Sequence, residues 1–137
     1  MTISYDAVEV GAEAPERRHV LTRTDLVKYA GASGDFNPMH HDELLATAAG
    51  MPSVFGHGMF SMGLLCSALT DWAGPGNVVR VAVRFSKQTW PGETLVSYVS
   101  VTGKREHEGR RLVDVECTLS NADGERKVVG TATVLAD

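Results

Sequence analysis

The 137-residue chain is short of cysteine: Cys66 and Cys117 are its only two, isolated and without a Cys-x-x-Cys spacing. That argues against a disulfide framework and a cysteine-built zinc site, and fits two reduced thiols buried in a core. Basic residues are also in deficit, 13 Lys and Arg against 17 Asp and Glu, for a formal charge of −4. Nucleic acid and anionic membrane surfaces are therefore not expected partners. No apolar run is long enough to span a bilayer, and the first ten residues hold neither a basic n-region nor an apolar h-region. A cytoplasmic location is expected. No Gly-x-Gly-x-x-Gly follows a strand-like run, so neither a nicotinamide nor a flavin is indicated, and no His-x-x-x-His or His-Glu-x-x-His spacing supports a helical metal site. Internal repeats and low-complexity tracts are absent as well.

What is present suits one domain spanning residues 1–137, since a chain of this length with 43% hydrophobic residues can bury a core. Residues 1–21 read as extended, punctuated by Gly11 and Pro15. Thr22 followed by Asp25 makes a capping box with a shortened acid, and predicts a helix over 23–32. Asp42 and Glu43 open a short helix that Gly50 stops. Residues 58–72 are apolar on most faces, which predicts a helix buried nearly all round and ended by Gly74-Pro75-Gly76. Four β-branched, mostly alternating runs then follow, at 79–85, 95–101, 112–119 and 128–135, separated by Pro91-Gly92, by residues 106–110 and by Asp123-Gly124. Helices first and strands last predict an α+β fold with an antiparallel sheet.

The chemistry concentrates in residues 29–40, where Gly31, Gly34 and Asn37-Pro38 break a helical pattern and turn the chain. Asp35 and His40 lie five apart there. On a continuous helix they would not face one another. Across the Gly-Asp-Phe-Asn-Pro turn they can converge on one water molecule as a general acid/base pair.

Ser33-Gly34-Asp35-Phe36-Asn37-Pro38-Met39-His40, followed by Phe55-Gly56-His57-Gly58-Met59, resembles the MaoC-like, or R-specific enoyl-CoA hydratase, family of hot-dog proteins. Within that family the chain resembles the actinobacterial hydroxyacyl-thioester dehydratase subunits. The resemblance implies a hot-dog fold, an antiparallel sheet wrapped around a long central helix. It also implies that Asp35 and His40 activate a water that adds to, or leaves from, a 2-enoyl thioester carried by coenzyme A or acyl carrier protein. It further implies dimers with substrate tunnels near the subunit interface, formed with a second copy or with a homologous hot-dog chain. Exposed sheet edges independently favour such pairing.

Hydration needs a water at C3, a proton at C2 and a donor for the oxygen of the enolate-like intermediate. Gly58, at the predicted start of the long helix, offers an unpaired N–H and no side chain to obstruct a carbonyl. The resemblance implies the same oxyanion role. Asn37 is expected to orient the turn through an Asx bond, and His57 either lines the site or steadies the chain before the helix. His41 reads as a surface or supporting residue. Met59, Met62 and Leu65 read first as core, with some contact to an acyl chain as the functional alternative. Arg84 and Lys87, with Arg80, are candidate partners for carrier phosphates or else solvated strand charges. His40, His41, Asp42, Glu43 and His57 form a potential ligand set, but without a metal-binding spacing acid/base chemistry is the stronger expectation. No metal or redox cofactor is expected, with the carrier thiol part of the substrate. Cys66 stands where some family members carry a serine near the Asp, and as a nucleophile it is disfavoured by its apolar setting. Two other readings remain: a hot-dog thioesterase, and a non-catalytic subunit of a hetero-oligomer, against which the presence of both Asp35 and His40 argues.

Overall fold

The computed structural model describes residues 2–137. In chain order these form β1 (Arg17–Val20), α1 (Arg23–Ser33), a 3-10 turn (Pro38–His40), α2 (Glu43–Ala48), α3 (Gly58–Ala73), β2 (Val78–Phe85), β3 (Thr94–His107), β4 (Arg110–Asn121) and β5 (Arg126–Leu135). The strands make one five-stranded sheet in the order β1-β3-β4-β5-β2, every neighbouring pair antiparallel. Residues 17–20, expected only as extended chain, contribute the first edge strand. The β3–β4 ladder runs further than the expected separator at 106–110 allows, because the reversal is confined to Glu108 and Gly109. Both have positive φ, 51° and 74°, the conformation that suits a two-residue hairpin to the twist of its strands.

The capping box forms as expected: Thr22 Oγ1 accepts from Asp25 N at 3.1 Å, and Asp25 Oδ2 accepts from Thr22 N at 2.9 Å. Gly34 ends α1 in the left-handed region, with φ of 76° and its N–H on Ala30 O. Asp42 caps α2 through Leu45 N.

Helix α3 lies against β2, β3, β4 and β5, so the sheet wraps it on one side and gives the hot-dog arrangement. The expectation that this helix is buried nearly all round is not met. Its buried positions, Ser61, Leu65, Ala68, Leu69 and Ala73, follow helical spacing and form one stripe. Leu65 and Leu69 are wholly buried in a core with Val99, Val113, Val115, Leu119 and Val134. Each such side chain contributes about 1.5–3 kcal/mol relative to exposure. The opposite face, with Met59, Gly63, Ser67 and Asp71, is exposed. The apolar run looked uniform because Met62, Leu64 and Cys66 occupy the flanks, half-buried. Strand β2, paired on one side only, carries exposed Val79 and Phe85. Among the described residues no helix is long and apolar enough to cross a membrane.

Candidate active site

The segment between α1 and the 3-10 turn folds by a relay of short polar side chains. Ser33 Oγ accepts from Asp35 N at 3.1 Å, Asp35 Oδ1 from Asn37 N at 3.2 Å, and Asn37 Oδ1 from Met39 N at 3.1 Å. Each bond spans two residues, so alternate residues brace the turn, and Asn37 has the orienting Asx role expected of it. The relay brings Asp35 Oδ2 to 3.9 Å from His40 Nε2. The two sit in unlike surroundings, the carboxylate side chain 51% exposed and the imidazole 8%.

His40 Nδ1 lies 2.6 Å from the Phe55 carbonyl. A carbonyl only accepts, so Nδ1 carries a proton, and it is Nε2 that faces Asp35 and is left to take or give the second one. The 3.9 Å between Nε2 and Oδ2 is too long for a direct hydrogen bond and suits two groups sharing one water. His57 braces this arrangement from behind. Its Nε2 donates to the Asp35 carbonyl at 3.1 Å, and its ring stacks on His40 with centroids 3.9 Å apart and planes 27° apart. Burial pushes the His57 pKa below its ordinary value, and the neighbouring His40 pushes it the same way, against the Asp35 carbonyl and carboxylate. His57 thus serves both alternatives weighed for it, lying at the site and tying down the chain before α3.

Among the described residues, the buried side-chain atoms lacking a hydrogen-bond partner are His57 Nδ1 and Thr89 Oγ1. Both lie here, since the Thr89 hydroxyl fills the space where a side chain on Gly56 would begin. Asp35, His40 and His57 each offer a ligand atom within 4.8 Å of the others. One ion does not suit both imidazoles, because nearly parallel stacked rings aim their lone pairs in planes that do not meet at bonding distance. The other acids of the expected cluster are engaged elsewhere: Asp42 caps α2, and Glu43 pairs with Arg23 at 2.8 Å. His41 stays exposed and bonds the Phe36 carbonyl.

A cleft of about 210 Å³ is lined by Phe55, Gly56, Gly58, Phe85, Lys87 and Thr89 among others; Asp35 and His40 are not among its lining residues. Phe55 joins cleft and pair, since its ring packs on His40 at 5.1 Å while its carbonyl takes the Nδ1 proton. Gly58 begins α3, and the N-cap His57 makes no side-chain capping bond, so the helix starts with unpaired N–H groups. A Cβ on Gly58 would stand 3.3 Å from the Phe85 ring, so the glycine keeps this wall open. Lys87 is at the cleft, paired with Glu125 at 3.2 Å. Arg84 is not brought there: strand alternation turns it away from Phe85, into a shallow hollow with Glu116 and Arg126. Arg80 bonds Thr131. Met59 is 57% exposed and Met62 half-buried, and neither lines the cleft. Cys66 lies two turns along α3 with its thiol pKa raised by burial, and burial together with Cys66 raises Cys117 to about 11. Neither is an activated nucleophile. Thr89 carried no local signal in the sequence, because it acts by a contact far along the chain; Phe55 and Tyr29, whose ring meets His57 at 4.8 Å, stand within the two flagged stretches, but their contacts with the imidazoles are not written in local spacing.

The family model for the MaoC like domain matches residues 8–123. The chain belongs to the MaoC-like family. It is 34% identical over 117 residues to the 3-hydroxyacyl-thioester dehydratase Y of Mycobacterium tuberculosis, covering 82% of this chain but only 39% of that longer protein. It is 37% identical over 126 residues to the 3-oxo-4,17-pregnadiene-20-carboxyl-CoA hydratase beta subunit of the same organism, covering 91% of this chain and 92% of that subunit. Among solved structures, the unliganded R-hydratase PhaJ1 of Pseudomonas aeruginosa superimposes with a TM-score of 0.85 at 29% identity, over 98% of this chain and 86% of that one. The MaoC-like assignment accords with the motif that holds Asp35 and His40, and the structural match accords with the hot-dog sheet and helix.

Proposed function

We propose that this MaoC-like protein hydrates trans-2-enoyl thioesters to R-3-hydroxyacyl thioesters, and catalyses the reverse dehydration, on coenzyme A or acyl carrier protein. The observation that carries this reading is the 3.9 Å gap between Asp35 Oδ2 and His40 Nε2, with His40 Nδ1 already committed to a carbonyl. A water in that gap meets a lone pair on one side and a carboxylate on the other. As its oxygen bonds to C3, one member of the pair removes its proton, and the pair returns a proton to C2, so the site ends with the protons it began with. The negative charge that develops on the thioester oxygen falls to the open N–H group of Gly58 at the start of α3. These steps call on no metal and no redox cofactor, and the carrier thiol belongs to the substrate. Lys87, at the cleft, is the candidate contact for carrier phosphates.

The partner is a second copy or a homologous hot-dog chain, paired along the open edge of β2, and the working compartment is the cytoplasm. A relative named as a beta subunit supports the partnered form. Purified protein should remove the conjugated enoyl absorbance of crotonyl-CoA or a longer trans-2-enoyl-CoA, release no free thiol and give the R alcohol. Free thiol released without formation of a 3-hydroxyacyl thioester would make it a thioesterase. No hydration at any chain length, alone or with a co-purifying hot-dog partner, would overturn the proposal.

A further inference from the structure

Lys127 is the largest fully buried side chain of the protein, with no exposed surface, and the hydration chemistry does not call on it. A buried ammonium is costly unless its three protons all find acceptors. Here Lys127 Nζ donates to the Gln88 carbonyl at 2.9 Å and to Glu125 Oε1 at 2.6 Å, and it pairs with the Glu93 carboxylate, Oε2 at 3.1 Å. The lysine's own carbonyl accepts from Ser86 N at 2.8 Å. Glu93 in turn accepts from Trp90 N at 2.7 Å and from Asn121 Nδ2 at 2.8 Å. Nearly all of these bonds end on one loop, residues 86–93, which connects β2 to β3 and supplies a wall of the cleft.

The same loop governs one particular peptide group. Gly56 N–H donates to the Thr89 carbonyl at 2.8 Å, and on the other side of that peptide the Phe55 carbonyl accepts from His40 Nδ1 at 2.6 Å. The group is planar and rigid, so fixing its N–H aims its carbonyl. Hydrogen bonds in series through one peptide also polarise each other. Trp90, from the loop, packs its ring edge-on to Phe55 at 5.9 Å, and Phe55 packs on His40. An unbroken set of contacts therefore runs from the buried lysine to the ring nitrogen that decides which face of His40 is basic.

We propose that Lys127 is a positioning residue for His40: by anchoring the 86–93 loop it orients the Phe55–Gly56 peptide, which holds His40 in the Nδ1–H tautomer with Nε2 free. This rests on His40 being the acid/base group of the proposed hydration. The test combines enoyl-CoA hydration kinetics with nitrogen-detected NMR of the His40 ring, on the wild type, His40→Ala and Lys127→Met. Lys127→Met leaves two carboxylates without their cation and is open to misfolding. A Lys127→Met/Glu93→Gln/Glu125→Gln variant removes those charges and serves as the second form. In the folded variant we expect kcat to fall about tenfold or more with KM nearly unchanged, the signature of a catalytic group displaced by a fraction of an ångström. We also expect a mixture of His40 tautomers in place of one. Wild-type kcat, or lowered kcat with the wild-type tautomer intact, would overturn the proposal. Activity surviving in His40→Ala would instead remove the function on which it rests.

Discussion

Two Asp–His pairs in this molecule use the same side chains to opposite ends. His19 Nε2 and Asp25 Oδ2 close directly at 2.8 Å, and that carboxylate also takes the Thr22 N–H of the capping box. Both bonds fall on Oδ2 and serve structure, tying β1 to the first turn of α1. His40 and Asp35 stand 3.9 Å apart, each held by a different bond: the ring by the Phe55 carbonyl, the aspartate by the turn it braces. The first pair has no room for a third party and the second requires one. On the proposed mechanism, chemical competence lies in the separation and in which nitrogen is left free, not in the residue types.

The largest effect expected from breaking this contrast is on activity alone. His40→Ala or Asp35→Asn should lower kcat/KM for enoyl-CoA hydration by about 10²–10⁴, while His19→Ala, assayed as folded protein, should stay near wild type. Next comes Gly58→Ala, which crowds Phe85 and intrudes where the thioester oxygen must approach the N–H. It should cost about 10–10² in kcat without loss of thermal stability, since alanine is favoured over glycine in a helix by about 0.5–1 kcal/mol.

Asp25→Ala should reverse that pattern, losing about 1 kcal/mol in urea denaturation as its side-chain bonds to Thr22 N and His19 are removed, with activity per folded molecule retained. Burial raises the Asp25 carboxyl, but hydrogen bonds from Thr22 and His19 outweigh it and hold the pKa below the ordinary 3.8. Its stabilising contribution is therefore present above 3.8 and lost as pH falls through the lower folded value. The wild-type and Asp25→Ala denaturation curves should converge there.

The smallest effect concerns His57. Its folded pKa is depressed below 6.5, so the unfolded chain takes up its proton first as pH falls through 6.5, and stability declines until the folded value is reached. His57→Gln should flatten that part of the profile of melting temperature against pH. An unchanged slope would mean that another group titrates there.

Much of this was legible in the chain itself. Thr22 and Asp25 announce a capping box because both halves are local, and Gly34, Asn37 and Pro38 mark the turn for the same reason. The motif around Asp35 and His40 therefore marked the candidate site before any coordinates, and the fold brings the two side chains to 3.9 Å. What stayed hidden depends on distance along the chain. Arg84 and Lys87 were equivalent as charges near a strand end; strand alternation turns Arg84 away from the cleft, while Lys87 reaches it from the loop after β2. Thr89 meets Gly56, and Lys127 meets Glu93, across separations that no spacing rule spans. The apolar length of α3 was legible but its one-sidedness was not, since half-buried flanks and a covered stripe are written with the same residues.

Of the three helix starts, those of α1 and α2 are closed by Thr22 and Asp42, while α3 begins at Gly58 with no side chain over its first N–H groups. An uncapped first turn is the end from which a helix frays. Whatever oxygen settles there completes the cap, so occupancy and local order become one equilibrium. Amide hydrogens over the first turn of α3 should then exchange fastest when the cleft is empty, and slow in step with its filling, a report of binding that needs no turnover.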